Sequence, residues 1–201
     1  MDQRETDRQR GRPRAFDEAR FLDGAIALFS AAGFSGVGIS DLTAATGVSA
    51  GSIYKAYQDK QGVFSMALSR YIALREDHIA RLFETAVNAR TKLGMLLRLY
   101  VDLSRGADGK LGCMVVAGIA DLDSVGRAQD ILRNQLAARR ATLKQLITQG
   151  QGDGSVASRA EPEVVADILL ALLQGMRVIG KGGILTQQAE TFVTQTLRIL
   201  D

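Results

Sequence analysis

The stretch ISDLTAATGVSAGSIYKAY, Ile39 to Tyr57, places two short helical segments around one glycine. Ser40 to Thr46 spans about two turns, Gly47 breaks the helix, and Ser49 is placed to cap a second one running to Tyr57. Ile53 of the second segment faces back onto Leu42 and Ala45 of the first. Small side chains at Ala44, Ala45, Ala50 and Gly51 let the two helices cross closely. This is the pattern of a helix-turn-helix, whose second helix fits a DNA major groove, and it is equally the pattern of a helical hairpin inside a core. Ser49, Ser52, Tyr54 and Lys55 bring hydrogen-bonding groups of the kind that meet phosphates and base edges.

Working outward, helical spacing continues on both sides. Upstream, Asp17 is placed as an N-cap, Leu22, Ala25, Ile26 and Phe29 fall on one face, and Gly33 suits the residue after the helix end. Downstream, Asp59 heads a long helix through Val63, Phe64, Ala67, Leu68, Tyr71 and Ile72. Thr91 to Ser104 is helical, the glycine-bearing run Gly106 to Gly112 interrupts it, and Cys113 to Leu122 is a short apolar helix. Ile131 to Ile147 is amphipathic and ends in a loop, Gly150 to Ser158. Pro162 suits the first turn of Glu163 to Ile179, which is apolar on almost all sides, and Thr186 to Leu200 closes the chain. No run alternates long enough for a strand, so the fold class is all-α. A helix apolar all round must be covered all round, which calls for a partner chain.

Composition narrows the classes. With 201 residues, 46% of them hydrophobic, the chain can bury a full core without disulfides or structural metal. One cysteine and one histidine exclude a Cys/His zinc site, a Cys pair and any mechanism needing two histidines, so neither metal nor cofactor is expected. The lone cysteine fits a reducing cytoplasm. Met1 to Arg14 is charged and has no apolar core, unlike a secretory signal, and Val164 to Leu185 is interrupted by Asp167, Arg177 and Lys181, unlike a membrane span. The net charge of +3 is too small to argue for an acidic partner, so that argument rests on where charges sit. The glycine runs lack the spacing of a phosphate-cradling loop. His78, beside Glu76 and Asp77, reads as part of a solvated face.

From Phe16 to Leu68 the chain closely resembles the DNA-binding domain of the TetR/AcrR family of bacterial transcriptional regulators. The residues that carry the likeness are Phe29, Gly33-Phe34, Asp41-Leu42, Gly47-Val48-Ser49, Gly51, Ile53-Tyr54, Tyr57, Lys60 and Val63. The resemblance implies a three-helix helix-turn-helix domain over residues 1–60 and a helical effector-binding and dimerisation domain over 61–201. It implies that Tyr54 and Lys60 hold phosphates and that Ser49, Ala50, Gly51, Ser52 and Lys55 face the groove, with Ser40 and Tyr57 beside them. Two departures stand out: Gly38 replaces a common Ser or Thr, leaving Ser40 as a substitute cap, and Tyr57 replaces a common Phe. Arg12 and Arg14 belong to an arm that either reaches the minor groove or is a solvated tail.

The resemblance further implies a homodimeric repressor, without catalysis, released from pseudo-palindromic operator DNA by a small apolar or amphipathic effector. Leu96, Tyr100, Cys113, Met114, Ile119 and Met176 are candidates for the effector pocket. Leu169, Leu172, Leu173, Met176, Phe192, Val193 and Leu197 are candidates for the dimer seam. The rival readings are oxidation or alkylation of Cys113 on the same scaffold, and a helical enzyme. Against the first, the neighbours of Cys113 are apolar and no second cysteine can resolve a sulfenic acid, which favours an inert thiol. Against the second, His, Asp and Glu do not cluster at catalytic spacing.

Overall fold

A computed structural model describes residues 17–185 and 188–201. Arg12 and Arg14 lie outside them. Ten α-helices follow in order: α1 Glu18–Ala32, α2 Ile39–Thr46, α3 Ala50–Tyr57, α4 Lys60–Phe83, α5 Ala89–Leu103, α6 Gly106–Leu111, α7 Met114–Ala120, α8 Ala128–Asp153, α9 Pro162–Lys181 and α10 Ala189–Leu197, ending in a 3-10 turn, Arg198–Leu200. No strand occurs among the described residues.

Side chains cap the starts of α1, α3, α4 and α5. Asp17 accepts from the Arg20 amide, Ser49 from Ser52, Asp59 from Gly62 and Asn88 from Thr91. Each such cap satisfies an amide that the helix leaves unpaired, worth about 1 kcal/mol. The second helix is the exception to expectation. Gly38 precedes it and offers no side-chain acceptor to the first-turn amides; the carboxylate of Asp41 accepts from the Gly38 amide at 2.7 Å, the reciprocal half of a capping box, and Ser40 does not replace the missing hydroxyl.

Two apolar cores result. The first gathers Phe21, Phe29, Phe34, Leu42, Ile53, Val63, Phe64 and Leu68 from α1 to α4, and adds Met114, Val125, Ala128 and Leu132 from α7 and the start of α8. At its centre the Phe64 ring stands edge-on to Phe29 at 5.0 Å and to Phe34 at 5.3 Å. This core therefore does not stop at residue 60. The second core joins α5, α8, α9 and α10 through Leu93, Leu97, Val101, Leu143, Ile147, Leu169, Leu173, Met176 and Val193. Helix α4 reaches both, with Phe64 in the first core and Ile79 in the second.

Two glycine runs behave differently from the sequence expectation. Gly106 to Gly112 does not simply interrupt: it forms α6, because Gly109 and Gly180 permit a close crossing of α6 and α9 over Ser104. A Cβ on either would lie 2.5 or 2.3 Å from the Ser104 carbonyl oxygen. The amphipathic helix expected to end at Ile147 continues through Gly150 to Asp153, since Gly150 makes room for Val156. The last helix begins at Ala189 rather than Thr186, and Thr186 lies outside the described residues.

Candidate nucleic-acid interface

Gly47 ends α2 at φ 72°, in the left-handed region that favours glycine, and turns the chain sharply into α3. Leu42 and Ile53, both wholly buried, lock the two helices to the core, each contributing about 1.5–3 kcal/mol. With Ile53 pinned inward, the opposite face of α3 points out: Ala50, Gly51, Ser52, Tyr54 and Lys55 are exposed, as is the capping Ser49. Tyr54 is 51% exposed although aromatic. Around Gly51 nothing lies within 4 Å of where a Cβ would stand. Ser40 is exposed near the start of α2.

Two residues expected at this surface are engaged within the protein. Tyr57 is 6% exposed, stacks on Phe21 at 5.2 Å, and donates its hydroxyl to Glu18 Oε1 at 3.3 Å. Burial, then the negative charge of Glu18, push its pKa well above the usual phenol value, so it stays a donor. Tyr57 is thus a core residue and not a surface contact, because its ring fills the α1–α3 seam. Lys60, at the start of α4, donates to the Phe34 carbonyl oxygen at 3.0 Å with its ammonium 4.1 Å from the Phe34 ring centre.

The helix-turn-helix is strutted to the rest of the molecule by polar contacts. Asp121, just past α7, accepts from the Ser35 amide at 3.0 Å and from its hydroxyl at 2.9 Å; these bonds, the amide foremost, hold the carboxyl below its ordinary pKa. Lys181, at the end of α9, donates to the carbonyls of Ser30 and Ala31 in the last turn of α1, at 3.1 and 2.6 Å. Arg127 pairs with Asp59 at 3.2 Å. Sequence reading did not single out Asp121 or Lys181 for this role, since the contacts join residues far apart in the chain.

A largely enclosed cavity lies between α4, α5, α7, α8 and α9. Tyr100 and Cys113 line it as expected, together with Tyr71, Arg75, Gln135, Arg139, Gln174 and Arg177, which sequence reading missed. The Tyr71 hydroxyl donates to Cys113 Sγ at 3.4 Å, and desolvation raises the pKa of both Tyr71 and Tyr100. The other pocket candidates sit elsewhere. Leu96 and Met176 are buried in the second core, Met114 is buried in the first, and Ile119 packs against the first. Their spacing is that of core faces, and core packing consumes them. A signal for Arg177 was present: it is the one arginine of α9 and sits among Leu172, Leu173, Met176 and Val178, and arginine is seldom found in apolar surroundings without a polar role.

The expected dimer seam also changes. Leu169, Leu173, Met176 and Val193 are buried inside this one chain, in the second core, so they do not form the outer surface. Leu172, Phe192 and Leu197 are half-buried. The uncovered apolar face of α9 is a neighbouring stripe, Val164, Ile168, Val178 and Ile179, between 42% and 54% exposed. All-round apolarity does not tell which side of the helix the chain itself covers.

An all-helical scaffold that presents a capped, outward-facing helix-turn-helix and links it to a second helical bundle defines a one-chain regulator. Family models agree over most of the chain: "Bacterial regulatory proteins, tetR family" matches residues 21–67 and "Tetracyclin repressor-like, C-terminal domain" matches residues 89–181. The chain belongs to the TetR family. It is similar to the HTH-type transcriptional repressor ComR of Escherichia coli K12, 27% identical over 194 residues covering 96% of this chain and 92% of that protein. It is also similar to the HTH-type transcriptional repressor BdcR of the same organism, 26% identical over 173 residues covering 86% of this chain and 83% of the other. Among solved structures, a cysteine mutant of the TetR family transcriptional regulator CifR complexed with 26-base-pair operator DNA superposes with TM-score 0.81 at 26% identity, covering 95% of this chain and all of that one.

Proposed function

We propose that this protein is a transcriptional repressor that binds operator DNA as a homodimer and is released by a small molecule bound in its C-terminal part. The observation that carries this reading is the outer face of α3. Ile53 is buried beneath it, while Gly51, Ser52, Tyr54 and Lys55 stand exposed. The named functions of ComR and BdcR and the operator complex of CifR support it. In this reading Ser49, Ala50, Gly51, Ser52 and Lys55 face the major groove, Ser40 and Tyr54 lie at the backbone, and Lys60 positions the turn through Phe34 O. Residues 1–60 carry the DNA-reading surface, on a core that continues into α4, α7 and α8, and 61–201 carry sensing and pairing.

The dimer forms through the exposed stripe of α9 with α10 beside it, and sets two α3 helices about 34–36 Å apart, one turn of DNA, or a multiple of it. A chain that reads bacterial operators works in the cytoplasm, and it acts by a change of affinity rather than by catalysis. Release follows if the effector favours a conformation whose α3 helices are wrongly spaced. The struts at Lys181 and Asp121 carry that movement from α9 and α7 to α1 and its following loop. Oxidation of Cys113 is the weaker reading, since the thiol is buried, accepts from Tyr71 and has no second cysteine to pair with.

Selection of bound sequences from a random duplex pool tests the proposal. An enriched inverted repeat is expected, and a pool left unenriched after repeated rounds would overturn it.

A further inference from the structure

We propose that the cavity between α4, α5, α7, α8 and α9 binds a small carboxylate, and that this anion rather than an uncharged apolar molecule is the effector class. The inference rests on the regulatory reading above and names the ligand chemistry of its sensing unit. Three arginines line the cavity: Arg75, Arg139 and Arg177. Arg139 and Arg177 are 3% and 4% exposed, so more than nine-tenths of each is buried. Among the described residues the only carboxylate paired with any of the three is Glu76, which takes Arg139 at 2.5 Å. Among the described residues Arg177 has no acidic partner within ion-pairing distance; it donates to the Gly112 carbonyl oxygen at 2.5 Å and to Ser104 Oγ at 3.5 Å. A buried cation is stable only when an anion or a full set of acceptors compensates it.

A donor is also left over. Among the described residues the buried Nε of Arg139 has no hydrogen-bond partner, and both terminal nitrogens of Arg177 rest on uncharged acceptors, the Ser104 hydroxyl and the Gly112 carbonyl. An unmet donor on one buried arginine and a second buried arginine held only by uncharged acceptors, both flanking one cavity, specify an anionic acceptor. Charge fixes its valence. Arg139 is neutralised by Glu76 and Arg75 is partly solvated, which leaves one fully buried positive charge, that of Arg177, for a monoanion to balance.

Size and walls fix the rest. The cavity has a free volume of about 30 Å³. A single water needs about 10–15 Å³ of such space, so the ligand has only a few heavy atoms. Leu103, Val115 and Leu136 supply an apolar wall for a short hydrocarbon stub, which a carboxylate carries and inorganic phosphate lacks. The site is wired to the DNA-reading unit. Arg177 holds Gly112 immediately before α7, and Lys181, one turn further along the same helix, holds the end of α1.

The test is calorimetric titration of the full-length protein with acetate, propionate and inorganic phosphate at constant ionic strength, with acetamide and propionamide as neutral isosteres. Saturable binding of acetate or propionate is expected, none by the amides, and at least tenfold weaker binding in Arg177→Gln. Because Arg177→Gln also loses the bond to Gly112, the partly exposed Arg75→Gln serves as a second variant and is expected to weaken binding in the same direction. Absence of carboxylate binding, equal binding of the amides, binding of phosphate alone, or unchanged affinity in Arg75→Gln and a folded Arg177→Gln would each overturn the proposal. Operator binding is measured separately: DNA binding without carboxylate binding defeats this inference only, and carboxylate binding without DNA binding defeats the regulatory reading only.

Discussion

Gly51→Ala separates what α3 does for the fold from what it does for DNA. Gly51 is the second residue of α3, and the position of its missing Cβ faces open space. Glycine inside a helix costs about 0.5–1 kcal/mol relative to alanine, and the first turn feels the lower end, so the substitution stabilises the protein by roughly 0.5 kcal/mol. For a chain near this size that raises Tm by about 1–2 °C. If α3 lies in the major groove, the same methyl group stands between the helix and the DNA, and operator affinity falls at least about tenfold, or ~1.4 kcal/mol. Opposite signs are thus expected from one substitution. Gly62→Ala is the contrast: its Cβ would lie 2.0 Å from the Tyr57 carbonyl oxygen, forcing a backbone shift worth about 1–3 kcal/mol. Thermal unfolding and fluorescence anisotropy on the selected operator read both effects. Wild-type affinity in Gly51→Ala would refute the close approach of α3, and a destabilised Gly51→Ala would show that the glycine serves the protein interior.

Tyr54→Phe removes a hydroxyl expected at a phosphate, so it should weaken DNA binding by about 0.5–1.5 kcal/mol while leaving base preference alone, as read by titration on the selected operator and single-base variants. Ile168→Glu, at a site 48% exposed in the protomer, should leave helical circular dichroism unchanged and yield monomer on sedimentation, because pairing would bury an uncompensated carboxylate. A dimeric Ile168→Glu protein would place the interface elsewhere. Asp121 has a lowered folded pKa, so its contribution is fully present above the ordinary carboxylate value, about 3.9, and is lost as pH falls through the folded value. Urea midpoints of wild type and Asp121→Asn should therefore differ at neutral pH and converge only in strong acid; a constant gap down to the lowest pH would contradict the Ser35 anchor.

The N-terminal half was legible in the sequence because its signals are local. Ser49 and Asp59 announce helix starts, Gly47 announces the turn, and Ile53 at helical spacing from Leu42 fixes which face of α3 is hidden. What sequence missed depends on long-range packing. Tyr57 reads as a polar aromatic beside Tyr54, and only the position of α1 shows that Phe21 stacks on it. Helix α9 is apolar on nearly every side, so periodicity cannot distinguish Leu169, which faces α5 and α8, from Ile168, which faces out. The arginines of the cavity come from α4, α8 and α9, and no spacing in one segment brings them together. Gly109 and Gly180 read as breaks, yet their lack of a side chain lets two helices touch.

In the proposed reading two copies of α3 read base edges in two symmetric half-sites. This is tested most directly by repeating the random-pool selection with Ser52→Ala and Lys55→Ala beside wild type. An inverted repeat is expected for wild type, and for each variant relaxed or altered preference at the same one or two positions in both half-sites, each mismatch there costing about 1–3 kcal/mol less than for wild type. Recovery of the wild-type sequence, equally sharp, with both variants would contradict the assignment of α3 as the reading helix.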